Sequence, residues 1–318
     1  MDQVARIGAC GIGENARTPE RTLQRAMPTS SNLRSIVAML LAVGFFSLMD
    51  AVMKTLGVSF APMQVAAMRG LSALPLVCLY VLWRREAHLL LRVRWPLHLL
   101  RGVIGVLMLS LFAFAIRELP LAEAYTVFFV APLLITVLSI PILKERVRLA
   151  HWVAIAVGML GVIVAMRPNQ ETFFSIGALA VLAAASCYAV SAITGRVLSR
   201  TDSSVSLVFW TTTMMGVGAG VLALPHWVAI APEHWALILA LATTGFLGQL
   251  AITEAFRHGQ ASVVAPFEYT ALAWGVGLDW ALWRTVPDHY TLLGGAIIIA
   301  SGLYLIRQEQ GKVVSLPP

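Results

Sequence analysis

The sequence predicts an all-α membrane protein of ten transmembrane helices, arranged as two inverted five-helix repeats with both termini cytoplasmic. Three observations predict it. Ten apolar stretches are each long enough to cross a bilayer, lysine and arginine alternate between the connections, and the second half of the chain echoes the first at a constant offset.

The apolar stretches come first. Of 318 residues, 58% are hydrophobic and only 12% are charged, with a mean hydropathy of +0.80. A soluble domain carries about a quarter charged residues, and a water-exposed surface this apolar would associate. A helical span needs about 20 mainly apolar residues. Such runs lie near 34–54, 63–83, 97–116, 121–141, 149–166, 174–195, 205–225, 235–256, 261–283 and 289–306. Helix stops and starts punctuate them at Ala61-Pro62, Leu119-Pro120, Arg167-Pro168, Ala231-Pro232 and Val286-Pro287. The runs are continuous rather than alternating, which excludes a membrane β-barrel.

Charge sets the orientation. Placing the amino terminus inside puts seventeen lysines and arginines on the inner side, from Arg6 to Lys312, and leaves Lys54, Arg117, Arg167 and Arg284 outside. Arg69 and Arg101 remain within apolar runs. That asymmetry is the positive-inside pattern. It also accounts for the net charge of +7 without any nucleic-acid partner. Residues 1–33 are polar and basic and lack the apolar core of a cleavable signal. They read as a disordered cytoplasmic tail, with Met27 as an alternative start, and residues 308–318 read as a second cytoplasmic tail. Cys10, Cys78 and Cys187 have no metal spacing, and the last two read as packing residues.

The repeat is visible at a shift of about 140 residues. Ala115-Ile116-Arg117 answers Ala255-Phe256-Arg257, Lys144 answers Arg284, and Met166-Arg167 answers Ile306-Arg307. Each match is weak and their common offset is stronger. Two units result, 34–167 and 174–307, each of five spans. An odd number of spans forces the copies to insert upside down relative to one another. Inverted repeats point to a secondary transporter with its site near the midplane.

At these residues the chain resembles the drug/metabolite transporter superfamily, in particular ten-span bacterial permeases with two EamA-type repeats. The resemblance covers residues 34–307. It rests on Asp50-Ala51-Val52-Met53-Lys54, Arg69, Pro132, Lys144-Glu145-Arg146 and the pattern from Gly294 to Gly302. The most specific piece is Val264-Ala265-Pro266-Phe267-Glu268-Tyr269-Thr270, similar to the branch with uptake permeases for S-adenosylmethionine and riboflavin. The resemblance implies a permease for a small organic metabolite of that kind, or an exporter of metabolites or drugs. One place departs from the pattern: where an acid matching Glu145 is expected, the chain reads Arg284-Thr285-Val286-Pro287.

Ionisable groups deep in apolar runs nominate the site, because placing one in lipid costs at least about 2.5–3.5 kcal/mol. Glu268 lies roughly 10 Å into its run, at 1.5 Å per residue, just after the helix-breaking Pro266. Tyr269 and Trp274 accompany it. A carboxylate, a bent helix and aromatic faces suit a cationic or ring-bearing solute. Asp50 either pairs with Lys54 one turn on or faces the cavity. Arg69 either snorkels outward or pairs with Asp50 or Glu123 across the bundle. Tyr125 is a further cavity candidate. Glu123 reads as a helix-start acid, Glu254 as a partner of Arg257, Arg101 as an anchor of the third span and Asp279 as part of a tryptophan belt. Thr211-Thr212-Thr213 and Gly248-Gln249 read as packing or as a weakly polar wall.

Enzyme signatures are absent. There is no His-Glu-x-x-His, Gly-x-Ser-x-Gly or phosphate loop. His151, His226, His234, His258 and His289 lack ligand spacing. No cofactor or metal is expected. The expected partners are the lipid bilayer and a small-molecule substrate, with a proton or an exchange solute as the coupling partner and a homodimer left open.

Overall fold

A computed structural model describes residues 29–119, 121–167, 175–284 and 288–314. The disordered stretch and alternative start expected within residues 1–28 lie outside the described residues, as do the last four residues of the chain. All regular structure among the described residues is helical: α1 (Thr29–Leu56), α2 (Pro62–Arg84), α3 (Trp95–Glu118), α4 (Leu121–Phe128), α5 (Ala131–Leu143), α6 (Leu149–Met166), α7 (Ile176–Leu198), α8 (Ser204–Ala223), α9 (Trp235–His258), α10 (Ala261–Val264), α11 (Thr270–Trp283) and α12 (His289–Val314), with short 3-10 turns between some of them. Nine of the described helical segments are long and apolar enough to cross a membrane, α4 and α5 counting together.

The ends of the helices are written into the local sequence. Pro62 opens α2 and Pro96 lies in the first turn of α3, where a missing backbone N–H costs nothing. The hydroxyls of Ser175 and Ser203 accept from Ala178 N and Ser206 N, both at 3.1 Å, and so start α7 and α8. Arg85, Lys144, Arg167 and Arg284 follow α2, α5, α6 and α11 in the left-handed conformation, with φ between 45° and 57°. A basic side chain there also meets the negative end of the helix dipole. Lys144 and Arg284, matched at the 140-residue offset, have φ 57° and 56°.

The tightest helix pairs are α1–α9, α2–α8, α3–α7 and α6–α12. Glycine makes two of these crossings close. A Cβ on Gly70 would lie 2.3 Å from Gly216 Cα across α2–α8, and one on Gly294 would lie 2.4 Å from Gly161 O across α6–α12. Exchanging the elements α1–α6 for α7–α12 in order maps this pairing onto itself: α1–α9 becomes α7–α3, while α2–α8 and α6–α12 return to themselves. The lesser contacts α2–α9 and α3–α8, or α5–α7 and α1–α11, exchange in the same way.

Two segments are interrupted. Between α4 and α5 the helix breaks at Phe129-Val130; between α10 and α11 it tightens to a 3-10 turn over Ala265–Tyr269. Phe129 and Tyr269 are exactly one repeat apart, and their rings meet at 5.9 Å.

A candidate substrate cavity

The site is built from the second interruption. Pro266 has no N–H to give its preceding turn, so the α-helical ladder yields to 3-10 geometry. The half-buried Glu268 then projects toward α7, where its Oε1 accepts the Tyr188 hydroxyl at 3.1 Å. From Tyr188 a chain of aromatic rings runs on, to Phe128 at 5.7 Å, Phe112 at 5.5 Å and Tyr125 at 5.6 Å. Tyr125 stands within electrostatic range of Asp50 on α1 and Arg69 on α2. The Arg69 guanidinium sits 5.4 Å from the centre of the Phe46 ring, which belongs to the same face of α1 as Asp50.

Asp50, Arg69, Tyr125, Tyr188 and Glu268 thus converge from five elements. Arg69, Tyr125, Tyr188 and Glu268 are half-buried and Asp50 is exposed, so none of the five is closed off by packing. Arg69 lies in electrostatic range of Asp50 and Tyr188, yet no contact ion pair joins Asp50 and Arg69. Asp50 lies in electrostatic range of Arg69 as well as one turn from Lys54. The Glu123 and Asp279 side chains lie outside the described residues.

The other two candidates stand apart from this convergence. Tyr269 is 1% exposed and packs on Val162 and Ile298. It fits only because residue 158 is glycine, where a Cβ would lie 2.6 Å from Tyr269 Cδ2. Trp274 is 46% exposed and lies against Gly44 of α1.

One contributor, Tyr188, was not singled out by the sequence. Tyr188 is a lone tyrosine on an alanine-rich helix, and that isolation is its only signal. Arg101, expected to anchor the end of α3, instead turns onto α7, where Nε donates to Ser191 Oγ at 3.3 Å and the guanidinium lies over Gly195. Glu145 receives three hydrogen bonds at the start of α10: Ala261 N at 2.9 Å, Ser262 N at 3.0 Å and Ser262 Oγ at 2.9 Å. On the other side of the same α9–α10 hairpin, Arg196 donates to Phe256 O at 2.7 Å and to Arg257 O. Glu254 takes the Ser204 hydroxyl at 2.7 Å and pairs with His258 at 3.0 Å, while Arg257 donates to Ser204 at 2.7 Å, so the expected Glu254–Arg257 pairing runs through that serine. Among the described residues no group of three His, Cys, Asp or Glu side chains gathers as a metal site.

This interior of ionisable and aromatic groups, framed by a self-matching helix arrangement, belongs to a known type of protein. Residues 33–167 and 175–307 each match the EamA-like transporter family. The chain belongs to that family. It is a multi-pass membrane protein and a small-metabolite permease, and the inner membrane agrees with its bacterial relatives. A pseudopaline exporter of Pseudomonas aeruginosa is 30% identical over 282 residues, covering 88% of this chain and 98% of its own. An S-adenosylmethionine uptake transporter of Rickettsia conorii is 27% identical, covering 82% of this chain and 88% of its own. A riboflavin transporter of Vibrio cholerae is 29% identical over 68% of this chain and 72% of its own. A solved crystal structure, 20% identical, shares the fold with a TM-score of 0.75, covering 89% of this chain and 99% of its own.

Proposed function

We propose that this EamA-family permease works by alternating access, rocking two inverted five-span repeats, 34–167 and 174–307, around the cavity at Glu268. In this reading the interrupted segment 261–283 is the ninth of ten spans, and both termini are cytoplasmic. The positive-inside bias and the self-matching helix pairs support it. The observation that carries the site is the Glu268–Tyr188 hydrogen bond, placed at the helix interruption. A half-buried carboxylate, with no basic contact partner among the described residues, offers a counter-charge to a substrate cation, and the surrounding rings offer apolar and cation–π contact.

The substrate class that fits is an amphipathic, ring-bearing or amine-bearing metabolite, S-adenosylmethionine-like or riboflavin-like. Asp50, Arg69, Tyr125 and Tyr188 complete the cavity, with Tyr269 and Trp274 as supports of the Glu268 segment. Export is the second reading, favoured by the identity to the pseudopaline exporter. Coupling runs through a proton on Glu268 or through an exchanged solute. A counterflow screen in proteoliposomes with radiolabelled S-adenosylmethionine, riboflavin and amino acids, comparing wild type with Glu268→Gln, tests this. Uptake of a cationic solute that the variant loses while remaining folded is the expected result. Uptake that the variant retains removes Glu268 from the site, and an imposed pH gradient without effect on uptake removes the proton.

A further inference from the structure

The cavity has a second chemical side. Next to Arg69 a small cleft of about 30 Å³, room for a single small polar group, opens between α2, α3, α8 and α9, lined by Arg69, Leu109, Thr211, Thr212, Met215 and Gln249. Thr211 is seven residues from the start of α8, and Gln249 nine from the end of α9, so both stand roughly 10 Å or more from their helix ends, deep in the bundle. Missing side chains make the space: Gly70 and Gly216 bring the α2 and α8 backbones together, and Gly245 leaves the Arg69 stem uncovered.

The polar groups here are mostly donors, and they are unused. The guanidinium carries five N–H groups, lies over an aromatic ring and has no carboxylate within ion-pair distance among the described residues. Thr211 Oγ1 is buried without a hydrogen-bond partner. Gln249 adds a side-chain amide to the same wall. A guanidinium removed from water without an anion is costly, and its planar fork matches a carboxylate bidentately. Asp50 stands in electrostatic range but out of contact, so it offsets part of the charge and leaves the donors free. Glu268 and Tyr188 present the opposite polarity elsewhere in the same interior.

We infer that the Arg69–Thr211–Gln249 cleft binds the carboxylate of a zwitterionic metabolite whose cationic group is held at Glu268. This assignment rests on reading the interior as the transport site. It deepens that reading by requiring both charges on one substrate.

The test uses probe pairs that differ only in a carboxylate: S-adenosylmethionine with its decarboxylated form, and L-tryptophan with tryptamine. Counterflow is measured on the full chain in proteoliposomes. For at least one pair the zwitterion is expected to have a KM at least about tenfold below its amine, because an unpaired polar site rejects the analogue that lacks its partner. Arg69→Met removes that discrimination, Arg69→Lys keeps part of it, and Thr211→Val raises the zwitterion KM about threefold, the scale of one neutral hydrogen bond. Thermal unfolding and size-exclusion elution establish that each variant is folded; should Arg69→Met fail to fold, Gln249→Leu with Thr211→Val carries the same comparison. An amine transported as well as its zwitterion overturns the inference, as does discrimination that survives in folded Arg69→Met. Replacing chloride by gluconate distinguishes an inorganic occupant: zwitterion transport that needs chloride in wild type but not in Arg69→Met assigns the cleft to chloride and overturns the inference. Counterflow of riboflavin alone overturns it and leaves the permease reading intact, whereas counterflow of no solute counts against both.

Discussion

The α4–α5 and α10–α11 segments occupy equivalent places in the two halves and break at equivalent residues, yet they carry different chemistry. At the first, Phe128 ends α4 and Phe129 opens the break; one repeat later the matching residues are Glu268 and Tyr269, within the 3-10 turn. The two breaks touch through Phe129 and Tyr269, while Phe128 and Glu268 both reach Tyr188. The ends differ as well. α10 begins on the Glu145 carboxylate, while the matching place after α11 has no acid at Arg284-Thr285-Val286-Pro287. The interruption is therefore a property of the shared architecture, and the charge belongs to one copy. Of the two breaks, only the second carries a carboxylate.

The sharpest way to break this comparison is at the Glu145 cap. Glu145→Ala strands two backbone donors and a hydroxyl. At about 1.5–3 kcal/mol for hydrogen bonds to a charged group, a loss of about 3 kcal/mol is expected, read as a lower midpoint of thermal unfolding in detergent. Glu145→Gln should recover part of it. An unchanged midpoint would show that α10 starts without its cap.

Glu268→Gln keeps the shape and removes the charge. Transport of a cation-bearing solute is expected to fall by about ten- to a hundredfold, on the order of 2 kcal/mol, while Phe128→Leu at the equivalent position leaves it within a few-fold. Equal effects at both positions would erase the proposed asymmetry.

Tyr188→Phe deletes one hydroxyl from the contact that both breaks share. A neutral hydrogen bond is worth about 1 kcal/mol, so transport should drop about fivefold with no change in unfolding midpoint. Phe129→Leu, measured by thermal unfolding, should cost least, about 0.5–1 kcal/mol for the lost aromatic pairing with Tyr269. A larger loss would make that ring contact a main support of the segment.

How much of this was legible in the residues depends on which force wrote it. Glu268 was visible because a carboxylate in an apolar run is expensive wherever the helices go, and Pro266 announced the break because a missing N–H is a covalent fact. Tyr188 was not visible: a tyrosine is common in membrane helices, and only the packing of α7 beside the interruption brings its hydroxyl to Glu268. Arg101 was misread for a related reason. Its place near the end of α3 suits an interface anchor, but its long stem turns to whichever neighbour leaves room, and Gly195 on α7 leaves that room. Asp50 and Lys54 sit one turn apart, so sequence spacing alone favoured a local pair, whereas the approach of α2 adds Arg69 to the account.

The sequence by itself determined the membrane as solvent, the lengths and limits of the helices, and the doubling of the chain. Hydropathy, proline, capping serines and the offset of matching residues are local or periodic properties that survive without knowing any neighbour. Only the tertiary structure decided which helices pair, that Glu145 reaches 116 residues ahead to hold α10, that Tyr188 meets Glu268, and that Asp50, Arg69 and Tyr125 come within electrostatic range of one another. The physical reason is that apolar helices are nearly interchangeable in lipid. Their partners are chosen by close contact between small residues such as Gly70 and Gly216, a matter of shape that no single helix records.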